Sequence, residues 1–173
     1  MIYYLEGDAT LPVKTPAIIP HVCNNVGGWG AGFVLALNAR WPEPKRAYKN
    51  WHLAKCDSFK LGSVQFVDCE PGITVANMIG QEGIAADLDG TPPVRYGAIE
   101  DALEKVRDHA YSLNSWDHQV TIHMPRIGCG LAGGSWSIIE KILNEVFSQG
   151  PDIYVYDLPP TKEELQTRKE RNV

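Results

Sequence analysis

Six short runs of the sequence are rich in apolar and β-branched residues, and several of them are too continuously apolar to keep a face in water. They cover residues 2–5, 17–22, 63–69, 73–79, 120–124 and 153–158. Runs of this length and composition are typical of strands in the middle of a sheet that is covered on both faces. The chain must therefore place its sheet between two layers of other structure.

Helical patterns separate these strands at residues 31–41, 43–55, 96–113 and 135–148. The last two segments place apolar side chains at steps of three and four. Ser135 is predicted to be the N-cap of the last helix, and Pro42 ends the first one. The predicted order is β-β-α-α-β-β-α-β-α-β. It indicates an α/β fold, a three-layer α/β/α sandwich with a mixed central sheet.

The connections carry further signals. Glu70-Pro71-Gly72 has turn chemistry, which predicts an antiparallel hairpin between its flanking strands. Residues 81–95 form a long polar loop, and such loops in compact domains are usually functional or mobile. Residues 159–173 carry charges of both signs, which is typical of a solvated helix or tail.

Composition limits the class of protein. The chain has 173 residues, enough for one domain, and a formal charge of −5, which does not favour bulk duplex binding. It has no apolar run of about 18 residues and no basic leader, so we expect a cytoplasmic protein that is not in the membrane. We also expect a monomer. Four scattered cysteines without zinc spacing predict reduced, buried thiols and no metal site. We also expect no cofactor.

A strand runs into glycines and then directly into a helix at residues 21–32, which read His-Val-Cys-Asn-Asn-Val-Gly-Gly-Trp-Gly-Ala-Gly. Glycines let backbone N–H groups approach a ligand, and a helix N-terminus adds partial positive charge. The segment lacks the Gly-Lys-Ser/Thr of a P-loop, and Phe33 stands where G-x-G-x-x-G needs its third glycine. Such a segment lets an acidic chain bind phosphate through its backbone.

The same order returns at residues 124–136. Gly128, Gly130 and Gly133 satisfy G-x-G-x-x-G, and Asp152 follows near the spacing of a ribose-binding acid. A dinucleotide-binding fold is one alternative, although only one helix and one strand come after the motif. Two converging helix N-termini would clamp a diphosphate, whereas the plainer interpretation is two tight turns that let helices pack closely on the sheet.

Three segments together resemble the macrodomain family. They are Gly7-Asp8 after the first strand, residues 21–33, and the Pro-Arg-Ile-Gly-Cys-Gly-Leu string at 125–131 followed by Trp136. They are most similar to the branch with the terminal ADP-ribose glycohydrolases, the poly-ADP-ribose reader of a chromatin remodeller, and the yeast-type ADP-ribose-1''-phosphate phosphatases. The resemblance covers residues 1–158, and we expect residues 159–173 to be a C-terminal helix or tail.

The resemblance implies ADP-ribose as the ligand. Asp8, with Ala9 beside it, matches an acid that accepts a hydrogen bond from the adenine amino group, and Tyr156 matches an aromatic residue near adenine. Asn24 and Asn25 would line the distal ribose. The two loops would hold the rest of the ligand, with Gly28, Trp29, Gly30, Ala31, Gly32 and Phe33 in the first and Ile127, Gly128, Cys129, Gly130, Leu131, Ala132 and Gly133 in the second.

The chain departs from the glycohydrolases of this branch at two positions. Ala132 stands at the position of their catalytic Asp, and Gln81 aligns with their Lys, so a lysine-adduct mechanism is not expected. Cleavage at the anomeric carbon builds oxocarbenium charge and needs a positioned water. We expect Glu82 to serve as base or electrostatic stabiliser, with Gln81 and Asn25 orienting ribose or water; a solvated loop charge is the equal alternative for Glu82.

Three functions follow from these observations. The first is a hydrolase that removes ADP-ribose from a protein or nucleic acid by a water-based mechanism. The second is a reader without turnover, favoured by the missing Lys and Asp, and the third is an ADP-ribose-1''-phosphate phosphatase, favoured by Trp29 and Trp136. Cations and aromatics at residues 40–55 suit a nucleic-acid acceptor, although such helices more often bury their aromatics.

Overall fold

A computed structural model describes residues 1–171. Its strands are β1 (Ile2–Glu6), β2 (Ala17–Asn24), β3 (Val64–Glu70), β4 (Ile73–Gln81), β5 (Thr121–Met124) and β6 (Ile153–Asp157). Its helices are α1 (Phe33–Arg40), α2 (Glu43–Leu53), α3 (Tyr96–Leu113), α4 (Trp136–Val146) and α5 (Lys162–Arg171). The predicted order of the first ten elements is confirmed, and α5 lies in the C-terminal segment, whose last two residues are outside the described ones.

The strands form one sheet in the order β1-β6-β5-β2-β4-β3. Neighbouring strands run parallel except β3, which pairs with β4 as an antiparallel hairpin. The mixed sheet and the hairpin at Glu70-Pro71-Gly72 are therefore confirmed. The crossovers that parallel strands require are supplied by the helices, which cover the sheet on both faces.

Two apolar layers explain the continuous hydrophobic runs. One face of the sheet packs against α3 and α4 through residues such as Met78, Ile122 and Leu143. The other face packs against α1 and α2 through Ile19, Val75 and Tyr48, among others. All nine residues of β4 are buried, because this strand lies between two neighbours and beneath helices on both sides.

The strand ends differ from the predicted ones where the functional loops begin. β2 continues to Asn24, which pairs with Gln81 of β4 after a register shift. The long loop therefore starts at Glu82, and its base is pinned by a bridge between Gln81 and Val94. α1 begins at Phe33 and not at residue 31, because Gly32 has a positive φ that no helix contains.

Two smaller expectations need correction. Ser135 occupies the N-cap position of α4, but its hydroxyl contacts Ser137 Oγ at 2.9 Å and caps no backbone N–H. Among the described cysteines, Cys23 is buried, Cys69 and Cys129 are half-buried, and Cys56, in the loop after α2, is exposed. Within residues 1–171, no helix is long and apolar enough to cross a membrane.

Candidate ligand-binding cleft

A cleft of about 600 Å³ opens at the carboxyl ends of β2, β4 and β5. One wall is the loop between β2 and α1, which we call the first glycine loop (residues 25–32), and the other is the second glycine loop (residues 125–134). The lining residues are His21, Val22, Cys23, Asn24, Gly28, Trp29, Gly30, Ala31, Gly32, Phe33, Val34, Gln81, Ile84, Pro125, Arg126, Ile127, Gly128, Gly130, Leu131 and Ala132. The two loops, separated by about a hundred residues of sequence, thus face one space.

The Asn24 side chain fixes the shape of the first glycine loop. Its Oδ1 accepts hydrogen bonds from the N–H groups of Val26 and Gly28 at 3.0 and 2.9 Å, and its Nδ2 donates to the Gly28 carbonyl at 2.9 Å. The buried hydroxyl of Tyr48 donates to the Asn24 carbonyl at 2.7 Å and lies 2.9 Å from Oδ1. The Asn24 amide therefore holds the loop through its Oδ1 and one of its two Nδ2 protons.

Helix α2 supports the same loop from outside. The Lys49 ammonium donates to the carbonyl of Gly27. A Cβ at Gly27, whose φ is +78°, would lie 2.4 Å from the His52 ring. The loop can approach α2 this closely only because Gly27 has no side chain.

Backbone hydrogen bonds fold the second glycine loop onto itself. The N–H of Gly134 donates to the Gly128 carbonyl at 2.8 Å, and the N–H of Gly133 donates to the Gly130 carbonyl at 3.0 Å. A Cβ at Gly130 would contact nothing within 4 Å, so this residue faces open space in the cleft. The loop leads into the N-terminus of α4 at Trp136, as the first glycine loop leads into α1 at Phe33.

The electrostatics of the cleft come from the backbone more than from side-chain cations. Arg126 is the single Lys or Arg among the described lining residues, and Asp157 already pairs with it at 2.7 Å. The His21 ring is neutral at physiological pH, because burial lowers its pKa to about 4. An anion in this cleft would be bound by N–H groups and by the positive ends of two helices.

Solved structures with the same architecture include a close relative. A macrodomain protein from Streptomyces coelicolor is 48% identical to this chain, with a TM-score of 0.75, and the match covers 91% of this chain and 99% of that one. The chain belongs to the macrodomain family. This macrodomain match confirms the resemblance noted in the sequence.

Other relatives of this macrodomain include a solved structure of unknown function and a phosphatase. A protein of unknown function from Bacteroides thetaiotaomicron is 46% identical, with a TM-score of 0.86, over 91% of this chain and 98% of that one. The ADP-ribose 1''-phosphate phosphatase of Candida albicans is 28% identical over 163 residues, which are 90% of this chain and 99% of the relative. No protein-family model matches the chain.

The structure brings thirteen of the predicted site residues of this macrodomain to the cleft and leaves seven out of its lining. Those in the lining are Asn24, Gly28, Trp29, Gly30, Ala31, Gly32, Phe33, Gln81, Ile127, Gly128, Gly130, Leu131 and Ala132. Those outside it are Asp8, Ala9, Asn25, Glu82, Cys129, Gly133 and Tyr156.

The Glu82 carboxylate has a partner of its own. It lies 2.9 Å from the nearest guanidinium nitrogen of Arg95, which also contacts Asp87 at 3.5 Å. The Asn25 amide accepts a hydrogen bond from the N–H of Gly83 at 2.9 Å, so it too is bound within the loop that follows β4. These contacts do not favour Glu82 as a general base or Asn25 as a group that orients water.

The residues expected near adenine, Asp8 and Tyr156, lie at the carboxyl ends of β1 and β6. Asp8 Oδ1 accepts hydrogen bonds from the N–H and the hydroxyl of Thr10, both at 2.8 Å. The Tyr156 hydroxyl lies 2.8 Å from Nδ1 of His123 and accepts a hydrogen bond from the N–H of Val13 at 3.0 Å. Burial is the main cause that raises the pKa of Tyr156.

Seven lining residues escaped the sequence analysis: His21, Val22, Cys23, Val34, Ile84, Pro125 and Arg126. His21 and Cys23 alternate along β2 with residues of the opposite face, so strand periodicity could have placed them on the Trp29 side, where the His21 and Trp29 rings meet at 5.3 Å. Ile84 carries no such signal. Among the described residues, no cluster of three His, Cys, Asp or Glu side chains suits a metal ion.

Proposed function

We propose that this macrodomain binds ADP-ribose in the cleft and hydrolyses a bond at its distal ribose. The observation that carries the proposal is the pair of glycine loops that face one cleft, each leading into a helix N-terminus. Backbone N–H groups at helix N-termini are ready-made sites for phosphate, and two such sets suit a diphosphate. Among the described residues, Arg126 is the one Lys or Arg of the lining and is already paired, so the affinity would come from the backbone.

Gln81 is the polar side chain best placed for the distal end of the ligand. It ends β4 in the lining and is buried, and its Nε2 donates to the Gly83 carbonyl at 2.9 Å. That bond fixes the amide and leaves its Oε1 available to accept from a ribose hydroxyl or a water. We assign to Gln81 the orientation of the attacking water, which oxocarbenium-like cleavage requires.

Two other functions have support of their own. Similarity to an ADP-ribose 1''-phosphate phosphatase over nearly the whole chain favours release of phosphate from the distal ribose. The positions of Ala132 and Gln81, where related glycohydrolases carry Asp and Lys, favour a reader without turnover. Both alternatives use the same cleft, so the binding proposal stands apart from the choice among them.

Binding is tested by calorimetry on a matched pair of variants. Gly130→Glu places a carboxylate in open space inside the cleft, and like charges in a binding site cost several kcal/mol. We expect it to weaken ADP-ribose binding at least about a hundredfold. Gly97→Glu adds the same charge on α3, where a Cβ also contacts nothing, and should bind as wild type does. Equal binding by both variants would contradict the assignment of the cleft.

Turnover is tested with three substrates: an ADP-ribosylated protein, an ADP-ribosylated oligonucleotide and ADP-ribose-1''-phosphate. We expect release of ADP-ribose over many turnovers from one of the first two and its loss in Gln81→Ala. Release of phosphate from the third would identify a phosphatase, and no release from any would identify a reader. Glu82→Gln should keep most of the activity, because that carboxylate is paired with Arg95 outside the lining.

The oligonucleotide belongs in the assay as a weaker candidate. Trp41 and Tyr48, two aromatics of the segment that suggested nucleic acid, are 6% and 0% exposed. Bases can stack only on exposed rings, so these two contribute to the core instead. We therefore propose that the acceptor is a protein side chain. That the protein is cytoplasmic and monomeric is a separate proposal.

A further inference from the structure

Arg126 holds its guanidinium in a fixed plane at one wall of the cleft. Its Nε donates to Asp157 Oδ1 at 2.7 Å and its Nη2 donates to Oδ2 at 2.8 Å, which is a bidentate pair. Its Cζ lies 5.2 Å from the ring centroid of Tyr4 and 5.2 Å from that of Trp136. The guanidinium is thus held along one edge and supported by two rings.

The supporting rings are themselves bound to each other. Trp136 Nε1 donates to the Tyr4 hydroxyl at 3.0 Å, and that hydroxyl donates to Glu140 Oε2 at 2.7 Å. The two rings meet edge to face at 81°. β1, α4 and the second glycine loop therefore meet in one polar cluster, although Tyr4 is 44% exposed.

A cation in a cleft for anions would ordinarily be assigned to phosphate. Here Asp157 occupies the Nε–Nη2 edge, one of the two edges that could chelate a phosphate, and its carboxylate neutralises the charge. Arg126 belongs to the lining of the cleft, and its side chain is 39% exposed there beside the two rings. Guanidinium planes stack on aromatic rings, and an ammonium cannot replace them in this role.

We infer that the guanidinium plane of Arg126 is a stacking platform for the nucleobase of the ligand, an inference that rests on the proposed binding of ADP-ribose. The order of the strands in the sheet supports a site for the base at the Arg126 end of the cleft. Arg126 follows β5 and its partner ends β6, whereas Gln81 ends β4, on the other side of β2. A ligand whose diphosphate lies between the glycine loops would place its base at Arg126 and its distal ribose at Gln81.

The test compares Arg126→Lys and Arg126→Ala by calorimetry with ADP-ribose. We expect both variants to bind at least about tenfold more weakly, because lysine keeps the charge and loses the plane. Arg107→Ala is the matched control, since Arg107 also pairs with a neighbouring carboxylate, Asp108, outside the cleft. It should bind as wild type does. Wild-type affinity in Arg126→Lys would overturn the inference, because a charge alone would then suffice.

A ligand without a base separates stacking from damage to the second glycine loop. Ribose 5-phosphate, measured by competition or by chemical-shift titration, should bind Arg126→Ala as it binds wild type. An equal loss for both ligands would overturn the inference in favour of a structural or phosphate role. If wild type fails to bind ADP-ribose at all, the proposed function itself fails, and that outcome is distinct from failure of the stacking assignment alone.

Discussion

Two buried histidines make the stability of the protein depend on pH. His21 Nε2 lies 2.6 Å from Asn77 Oδ1, and the His123 ring stacks on Tyr154 at 4.9 Å while it contacts Thr121 and Tyr156. Burial lowers the pKa of each to about 4, against an unfolded value near 6.5. The unfolded state therefore binds more protons between these values, and stability falls as the pH drops from about 6.5 to about 4.

We expect a loss of roughly 1–3 kcal/mol for each histidine across that window. Denaturant unfolding of the wild type at pH 7.5, 6 and 5 measures the loss. His123→Gln should flatten the profile, whereas His118→Gln should not, because His118 is exposed in a loop. A profile that is flat in wild type from pH 7.5 to 5 would contradict the neutral, buried state of both rings.

Gly134 and Gly130 should respond differently to substitution by alanine. A Cβ at Gly134 would lie 2.4 Å from the carbonyl oxygen of Gly128, whereas a Cβ at Gly130 meets open space. Backbone must move to relieve the first clash, so Gly134→Ala should cost about 1–3 kcal/mol of unfolding free energy. Gly130→Ala should change that free energy by less than about 0.5 kcal/mol. Denaturant unfolding of the pair measures the difference, and equal costs would contradict this packing of the second glycine loop.

At the scale of elements, helix α2 acts as a support for the first glycine loop. Tyr48→Phe removes the hydroxyl that bonds to Asn24 and keeps the buried ring. We expect a loss of about 1–2 kcal/mol of stability, the usual cost when a buried polar group loses its partner, and a several-fold weaker affinity for ADP-ribose. Thermal unfolding and calorimetry measure the two effects.

Trp51→Phe is the control for this prediction, because it changes another aromatic of α2 whose Nε1 donates to Ser58, away from the glycine loop. Its affinity for ADP-ribose should equal that of wild type. Should Tyr48→Phe lose stability without any loss of affinity, the hydroxyl would serve the core alone.

At the scale of the whole molecule, α5 adds nothing to the core. Its described residues are all exposed, and its first turn is held by a local capping box between Thr161 and Glu164. We propose that residues 1–158 fold as the domain. A chain truncated after Leu158 should keep its ADP-ribose affinity and its Tm to within about 2 °C. A drop of more than about 5 °C would show that α5 stabilises the domain.

Local signals account for what was predictable from sequence. The three- and four-residue steps of apolar residues in 96–113 predicted the bounds of α3, because the apolar face of a helix is visible in the spacing of neighbouring residues. The end of β2 was missed by two residues, because Asn24 is a strand residue only through its partner on β4. Glu82 was predicted to be catalytic because it follows a strand. Its ion pair with Arg95, thirteen residues away, could not be recognised from the neighbouring sequence.

The amino-acid sequence by itself determined the order of strands and helices, the hairpin, and the two glycine loops at strand-to-helix junctions. Periodicity, turn residues and glycine act over a few neighbouring positions, so they can be recognised without a partner. Only the tertiary structure decided that the loops face one cleft, that Tyr48 holds Asn24, and that Asp157 orients Arg126. Those contacts join residues 24 to 31 positions apart, or loops about a hundred residues apart, and only the crossovers of the chain bring them together.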